Sequence, residues 1–155
     1  MISHLDKKNN PIMVDVGGKN ITQRTAEAEG EIIFDKKTFK KIESLRSKKG
    51  SIKNIAIIAG IMGAKETSRL IPLCHNIPID SVNLEIIKNI KKNSMKVKAI
   101  VKTSSKTGVE MEALTAVTIC CLTIYDMCKY LNKSIKITNL KLIEKKGGKS
   151  GNFKI

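Results

Sequence analysis

Residues 25–34 read TAEAEGEIIF, with Ala26, Ala28, Gly30 and Ile32 at one parity and Glu27, Glu29 and Glu31 at the other. Successive side chains of a strand point to opposite faces, so this alternation predicts a half-buried β-strand with one small apolar face and one acidic face. Two more alternating segments lie downstream. The first carries Val82, Leu84 and Ile86, the second Met95, Val97, Ala99 and Val101, and the turn-like NIKKNS separates them. Lys96, Lys98 and Lys102 occupy the other face of the second segment. A last strand is expected from 135 to about 144.

Helical spacing fills the intervals. Asp35 caps a helix expected to run to about 46, with Phe39, Ile42 and Leu45 on one side. After the turn SKKGS, Ser51 caps a second helix from 52 to about 70, which Pro72 stops. The polar break SSKTG precedes the longest helix, from 109 to about 132. The order strand, two helices, two strands, helix, strand predicts an α+β, ferredoxin-like two-layer sandwich, a four-stranded antiparallel sheet with helices on one face. In that topology the first strand lies between the third and fourth, which sets Glu27, Glu29 and Glu31 opposite Lys96, Lys98 and Lys102.

The chain has 155 residues, enough for one domain (1–155) that buries about 70% of its unfolded surface. Residues 1–22 are polar, contain Asn-Asn-Pro and Gly-Gly, and predict a mobile arm. The longest nearly apolar stretches, 55–64 and 116–125, fall short of the roughly 20 residues that span a bilayer, and the N-terminus has no apolar signal segment. A cytoplasmic protein without membrane contact is expected. The net charge of +15 raises the alternative of a Lys-rich nucleic-acid or polyanion binding module. Against it stand the dominance of Lys over Arg and the near absence of stacking aromatics. Cys74, Cys120, Cys121 and Cys128 form no CxxC pair, and the last three sit in an apolar helical stretch where free Cys packs as a small hydrophobe.

Several residues are placed to carry chemistry. Asp126 lies in the apolar stretch AVTICCLTIYDMC, which predicts a buried carboxylate, with Lys129 one turn later. The pair reads equally as a structural ion pair and as an acid/base pair. Thr107 and Glu110 fit a capping box, which leaves Glu112 as the better site candidate. Glu112 and Asp126 share a helix face but stand about 21 Å apart along it, so a second subunit is needed if both serve one compact ligand. His75, between Pro72 and Pro78, sits in a loop, as a solvent-exposed bystander or as a phosphate or proton handler. Cys74 beside it is a poor nucleophile candidate. The GKS near the C-terminus is no P-loop, since position 143 is Ile rather than Gly and no helix can follow. It leaves a Gly loop with Lys145, Lys146 and Lys149, either a polyanion wrap or a solvated tail.

These segments together resemble the molybdenum cofactor biosynthesis protein C family, the cyclic pyranopterin monophosphate synthases. The resemblance runs through MVDV (13–16), the AG and AK of AGIMGAK (59–65), LIPLCH (70–75), TGVEMEALTA (107–116), LTIYDMCK (122–129) and GGKSG (147–151). It implies a lyase that converts (8S)-3′,8-cyclo-7,8-dihydroguanosine 5′-triphosphate to cyclic pyranopterin monophosphate and releases pyrophosphate. It further implies Asp126 as the acid/base residue with Lys129 and Lys49 as catalytic lysines. Leu73, Cys74, His75, Met111, Glu112, Lys65, Lys145 and Arg24 are the implied substrate-binding residues. A homohexamer built as a trimer of dimers, with sites at the dimer interface, is implied as well. No redox cofactor is expected, no protein-held metal is suggested, and Mg²⁺ could accompany the triphosphate.

Overall fold

The computed structural model describes residues 4–42, 46–47, 50–149 and 151–155. In chain order the elements are β1 (Thr22–Ile33), α1 (Lys36–Ile42), β2 (Arg46–Ser47), β3 (Gly50–Ser51), α2 (Ile52–Lys65), α3 (Thr67–Leu70), β4 (Ser81–Asn89), β5 (Ser94–Ser105), α4 (Glu110–Cys128), β6 (Lys136–Lys146) and β7 (Phe153–Lys154). An antiparallel sheet in the order β4-β5-β1-β6-β7 carries α2 and α4 on one face. The result is the expected two-layer α+β sandwich, with five strands in the main sheet rather than four. The added strand is β7, where Phe153 and Lys154 pair with Lys145 and Glu144. Two residues are too few to print a strand period, so this pairing follows from the turn before it.

Alternation in β1 produces the predicted faces. Ala26, Ala28 and Ile32 are buried beneath the helices together with Met95, Val97, Ala99 and Val101 of β5 and Leu84 and Ile86 of β4. Small residues allow close approach: a Cβ at Gly30 would stand 2.8 Å from Val117 of α4, and one at Gly60 of α2 would stand 2.9 Å from the Ala116 carbonyl oxygen. The opposite sheet face is a polar ladder. Glu29 and Glu31 lie directly across from Lys98 and Lys96, and the ion pairs form diagonally, Lys98–Glu27 at 2.8 Å and Lys96–Glu29 at 3.1 Å. Lys102 faces Thr25 rather than a carboxylate. Glu31 accepts instead from the Ser94 hydroxyl at 2.6 Å and from Asn139 at 3.0 Å, and these bonds hold its carboxyl below the usual range.

The helices depart from expectation at their ends. Asp35 does cap α1, accepting the Thr38 amide at 2.9 Å; the helix is described to Ile42, expected helical residues 43–45 lie outside the described residues, and residues 46–47 are extended. Ser51 caps α2 through the Asn54 amide at 3.3 Å. The single helix expected over 52–70 breaks at Glu66, which takes φ −94° and ψ 3°, into α2 and α3. α4 is shorter than expected and its capping box does not form: Val109 is the N-cap and no side chain closes the first turn. Glu110 folds over Gly108, where a side chain would collide with its carboxylate, and reaches Lys145 at 3.8 Å.

With 19 residues, α4 is long and apolar enough to cross a membrane by length and composition. It is instead a core helix, with Ala113, Ala116, Val117, Cys120, Cys121, Ile124 and Cys128 buried against the sheet and α2. Burial pushes the Cys120 and Cys121 thiols up to about 12 and Cys128 up to about 11, as suits packed hydrophobes.

Candidate active site

The segment between α3 and β4 cannot be regular because Pro72 and Pro78 bracket it, and it folds against the first turn of α4. There Leu73, Cys74, His75 and Ile77 meet Thr107, Gly108, Glu110, Met111 and Glu112 around a cavity of about 150 Å³, which His4 also lines. Five of the predicted substrate-binding residues, Leu73, Cys74, His75, Met111 and Glu112, are thus brought together although 35 residues separate His75 from Met111.

His75 is half-buried and lies 2.7 Å from the Val14 carbonyl oxygen through Nε2. A carbonyl only accepts, so Nε2 carries the hydrogen, and in the neutral ring Nδ1 is the acceptor. His75 is therefore held by the N-terminal segment rather than standing as an exposed bystander. Glu112 is 5% exposed. Burial, with a smaller contribution from the Glu110 charge, pushes its carboxyl up to about 7, into the range where a group both gives and takes protons near neutral pH. Burial and the Glu112 charge raise the Cys74 thiol, which disfavours the thiolate and agrees with reading Cys74 as a lining residue.

The basic residues divide between this cavity and its surroundings. Lys145, on β6, lies 3.8 Å from Glu110. Arg24, on β1, is half-buried and donates from Nε to the Ser105 carbonyl at 3.0 Å and from Nη2 to the Lys106 carbonyl at 3.1 Å. A side chain at Gly148 would strike this guanidinium, so Arg24 ties β1 to the end of β5 and to the Gly147–Gly148 turn. Both of those glycines have positive φ, 89° and 84°, which favours Gly. A second, larger cavity of about 800 Å³ opens beside it, lined by Lys19, Arg24 and Lys149 among others. Lys65 is exposed at the last position of α2. Lys49 lies outside the described residues.

Asp126 and Lys129 form the expected ion pair at 2.7 Å, and it raises the Lys129 ammonium. The expectation that Asp126 is buried fails: its side chain is 68% exposed. The apolar run around it buries one side of α4, while Leu122 and Asp126 stand exposed on the side that no element covers among the described residues. The helix holds this pair about 21 Å from Glu112, so one chain does not bring them together.

Sequence reasoning missed His4, Ile77 and Gly108 as lining residues and assigned Thr107 and Glu110 to a cap. For Glu110 a signal existed, since it stands two positions from Glu112 at the same helix end. For His4 nothing local points to the cavity. Among the described residues no group of three or more His, Cys, Asp or Glu side chains comes together as a metal site.

Residues 13–148 match the MoaC family. Among curated proteins, the cyclic pyranopterin monophosphate synthase of Campylobacter jejuni subsp. jejuni is 51% identical over 152 residues, 98% of this chain and 97% of that protein. That of Campylobacter lari is 52% identical over the same shares. The Helicobacter pylori protein of the same name is 49% identical over 98% of this chain and 96% of its own length.

Proposed function

Because the chain belongs to the MoaC family, we infer that it is a cyclic pyranopterin monophosphate synthase of molybdenum cofactor biosynthesis. The observation that carries this is the extent of the similarity, about half of all positions over nearly the whole of both chains. The substrate we propose is the cyclised dihydro-GTP, (8S)-3′,8-cyclo-7,8-dihydroguanosine 5′-triphosphate. Its base ring opens and recloses as a pterin, a sugar oxygen attacks the α-phosphorus, and the bond to the leaving pyrophosphate breaks. Each step needs proton transfer and charge neutralisation rather than electron transfer, so the reaction asks for no redox cofactor, and Mg²⁺ would enter with the triphosphate.

The residues of the cavity suit these demands. Glu112, titrating near 7, and His75, with Nε2–H held by Val14, are able to exchange protons with a ring, and Leu73, Cys74 and Met111 wall it. Arg24, Lys145, Lys49 and Lys65 are the cations for the phosphates, and the charge they supply favours departure of pyrophosphate. Asp126 is the acid/base residue and Lys129 its partner. Since the chain holds Asp126 and Glu112 at different ends of α4, the complete site needs α4 helices of two subunits, which favours a dimer as the functional unit, and the family resemblance extends this to a homohexamer made of three dimers. A cytoplasmic location is proposed with it.

Incubation with the cyclised dihydro-GTP tests the reading. Pyrophosphate release and a pterin that fluoresces after oxidation are expected, and the absence of both overturns it. Asp126→Asn is expected to lower turnover by about 10²–10⁴-fold while the far-ultraviolet circular dichroism stays unchanged. Retained turnover would remove Asp126 from its role.

A further inference from the structure

The family match begins at residue 13, yet residues 4–12 before it are built into the structure. Leu5 and Pro11 form a β-bridge, the Ile12 amide donates to the His4 carbonyl at 2.9 Å, and the Asp6 amide donates to the Asn10 carbonyl at 2.9 Å. Inside this small hairpin the Asp6 carboxylate accepts the Asn10 amide at 2.8 Å, the Asn10 side-chain amide at 3.2 Å and the Lys8 amide at 2.7 Å, and these bonds, those from Asn10 foremost, hold its carboxyl below the usual range. Asn9 takes φ 62°, a conformation Asn tolerates in a tight turn. Two further bonds fasten the following segment to the loops of the site. His75 Nε2 donates to the Val14 carbonyl, and the Lys106 ammonium donates to the Gly17 carbonyl, both at 2.7 Å. His4 is thereby carried to the rim of the cavity that holds His75, Glu110 and Glu112.

The chemistry of the lining decides what His4 can meet there. Two carboxyl groups, Glu110 and Glu112, stand in a cavity of about 150 Å³, and they repel a phosphate while accepting hydrogen bonds from ring N–H groups. The neighbouring larger cavity has Lys19, Arg24 and Lys149 on its walls and suits phosphate oxygens. We propose that the hairpin of residues 4–12 is a wall of the active site and that His4 contacts the nitrogen-rich ring of the substrate, as a specificity residue at the ring end. The proposal rests on the synthase reading for the identity of that ring.

The test uses the full-length protein, with calorimetric titration of GTP and of inorganic pyrophosphate into the wild type, His4→Ala and His4→Asn, beside turnover of the cyclised dihydro-GTP. His4→Ala is expected to weaken GTP about tenfold, the loss of one good hydrogen bond, with pyrophosphate affinity and Tm unchanged. His4→Asn should recover part of the loss, and the KM for the cyclised substrate should rise in His4→Ala with kcat within twofold. Equal GTP affinity in His4→Ala and wild type overturns the proposal, as does an equal weakening of GTP and pyrophosphate, which a general loosening of the arm would produce. If the wild type makes no pterin, the synthase reading fails, and the ratio of the two GTP affinities still decides whether His4 touches a guanine-type ring.

Discussion

Glu112 concentrates the conflict between folding and function in one side chain. Its carboxyl is shifted from 4.5 in the unfolded reference to about 7 in the folded chain, chiefly by burial. Between those values the folded form binds a proton that the unfolded form has lost, so stability falls as pH rises through this window and levels off above it. Replacing the ionising group by Glu112→Gln should leave stability nearly unchanged at pH 4 and raise it at pH 8, by up to about 3 kcal/mol for a shift from 4.5 to about 7. Urea denaturation at both pH values checks this, and a difference that does not vary with pH would remove burial as the cause. That Glu112 is a site candidate was legible in its position at a helix start with no capping duty. That it is the buried carboxyl and Asp126 the exposed one was not, because helical periodicity shows which residues share a face and leaves open what covers that face.

At the level of elements, the packing of α2 on α4 depends on glycines that helix propensity alone would disfavour. A methyl group at Gly60 would lie 2.8 Å from Leu84 Cδ2, 2.9 Å from the Ala116 carbonyl oxygen and 3.2 Å from Cys120 Cβ. Gly60→Ala is therefore expected to destabilise the chain by about 1–3 kcal/mol despite the gain in propensity, whereas Gly18→Ala, with nothing within 4 Å, should be close to neutral. Thermal denaturation of the two variants makes the comparison, and equal Tm values would contradict the tight crossing. The alternating segments reported their strands well, because period two is a strong local signal and each strand has one buried face. Ends were less legible. Residues 46–47, expected at the end of the first helix, are extended, a break at Glu66 divides α2 from α3, and Val109 rather than Thr107 opens α4, since ends depend on what neighbouring segments bond to.

For the whole molecule, the charge of +15 invites a polyanion reading, and the structure distributes it. Lys96, Lys98 and Lys141 are paired with Glu27 and Glu29 across strands, while Lys19, Arg24 and Lys149 line one cavity beside the site. The proposed sharing of sites between subunits has its own test. Asp126→Asn and Glu112→Ala should each be inactive, yet mixing them after dissociation should restore about a quarter of wild-type activity, because half of randomly formed dimers are mixed and each carries one intact site. No recovery in demonstrably mixed oligomers would mean that one chain supplies both carboxyls. By itself the sequence determined the layer architecture, the central position of β1, the motif residues and the family they resemble, all of which follow from local period and short strings. Only the tertiary structure decided that His4, His75 and Glu112 share one cavity, that the N-terminal segment sets the tautomer of His75, and that Asp126 stands on the exposed side of α4. These are contacts between segments far apart in the chain, and they depend on how faces pack against one another rather than on any pattern along it.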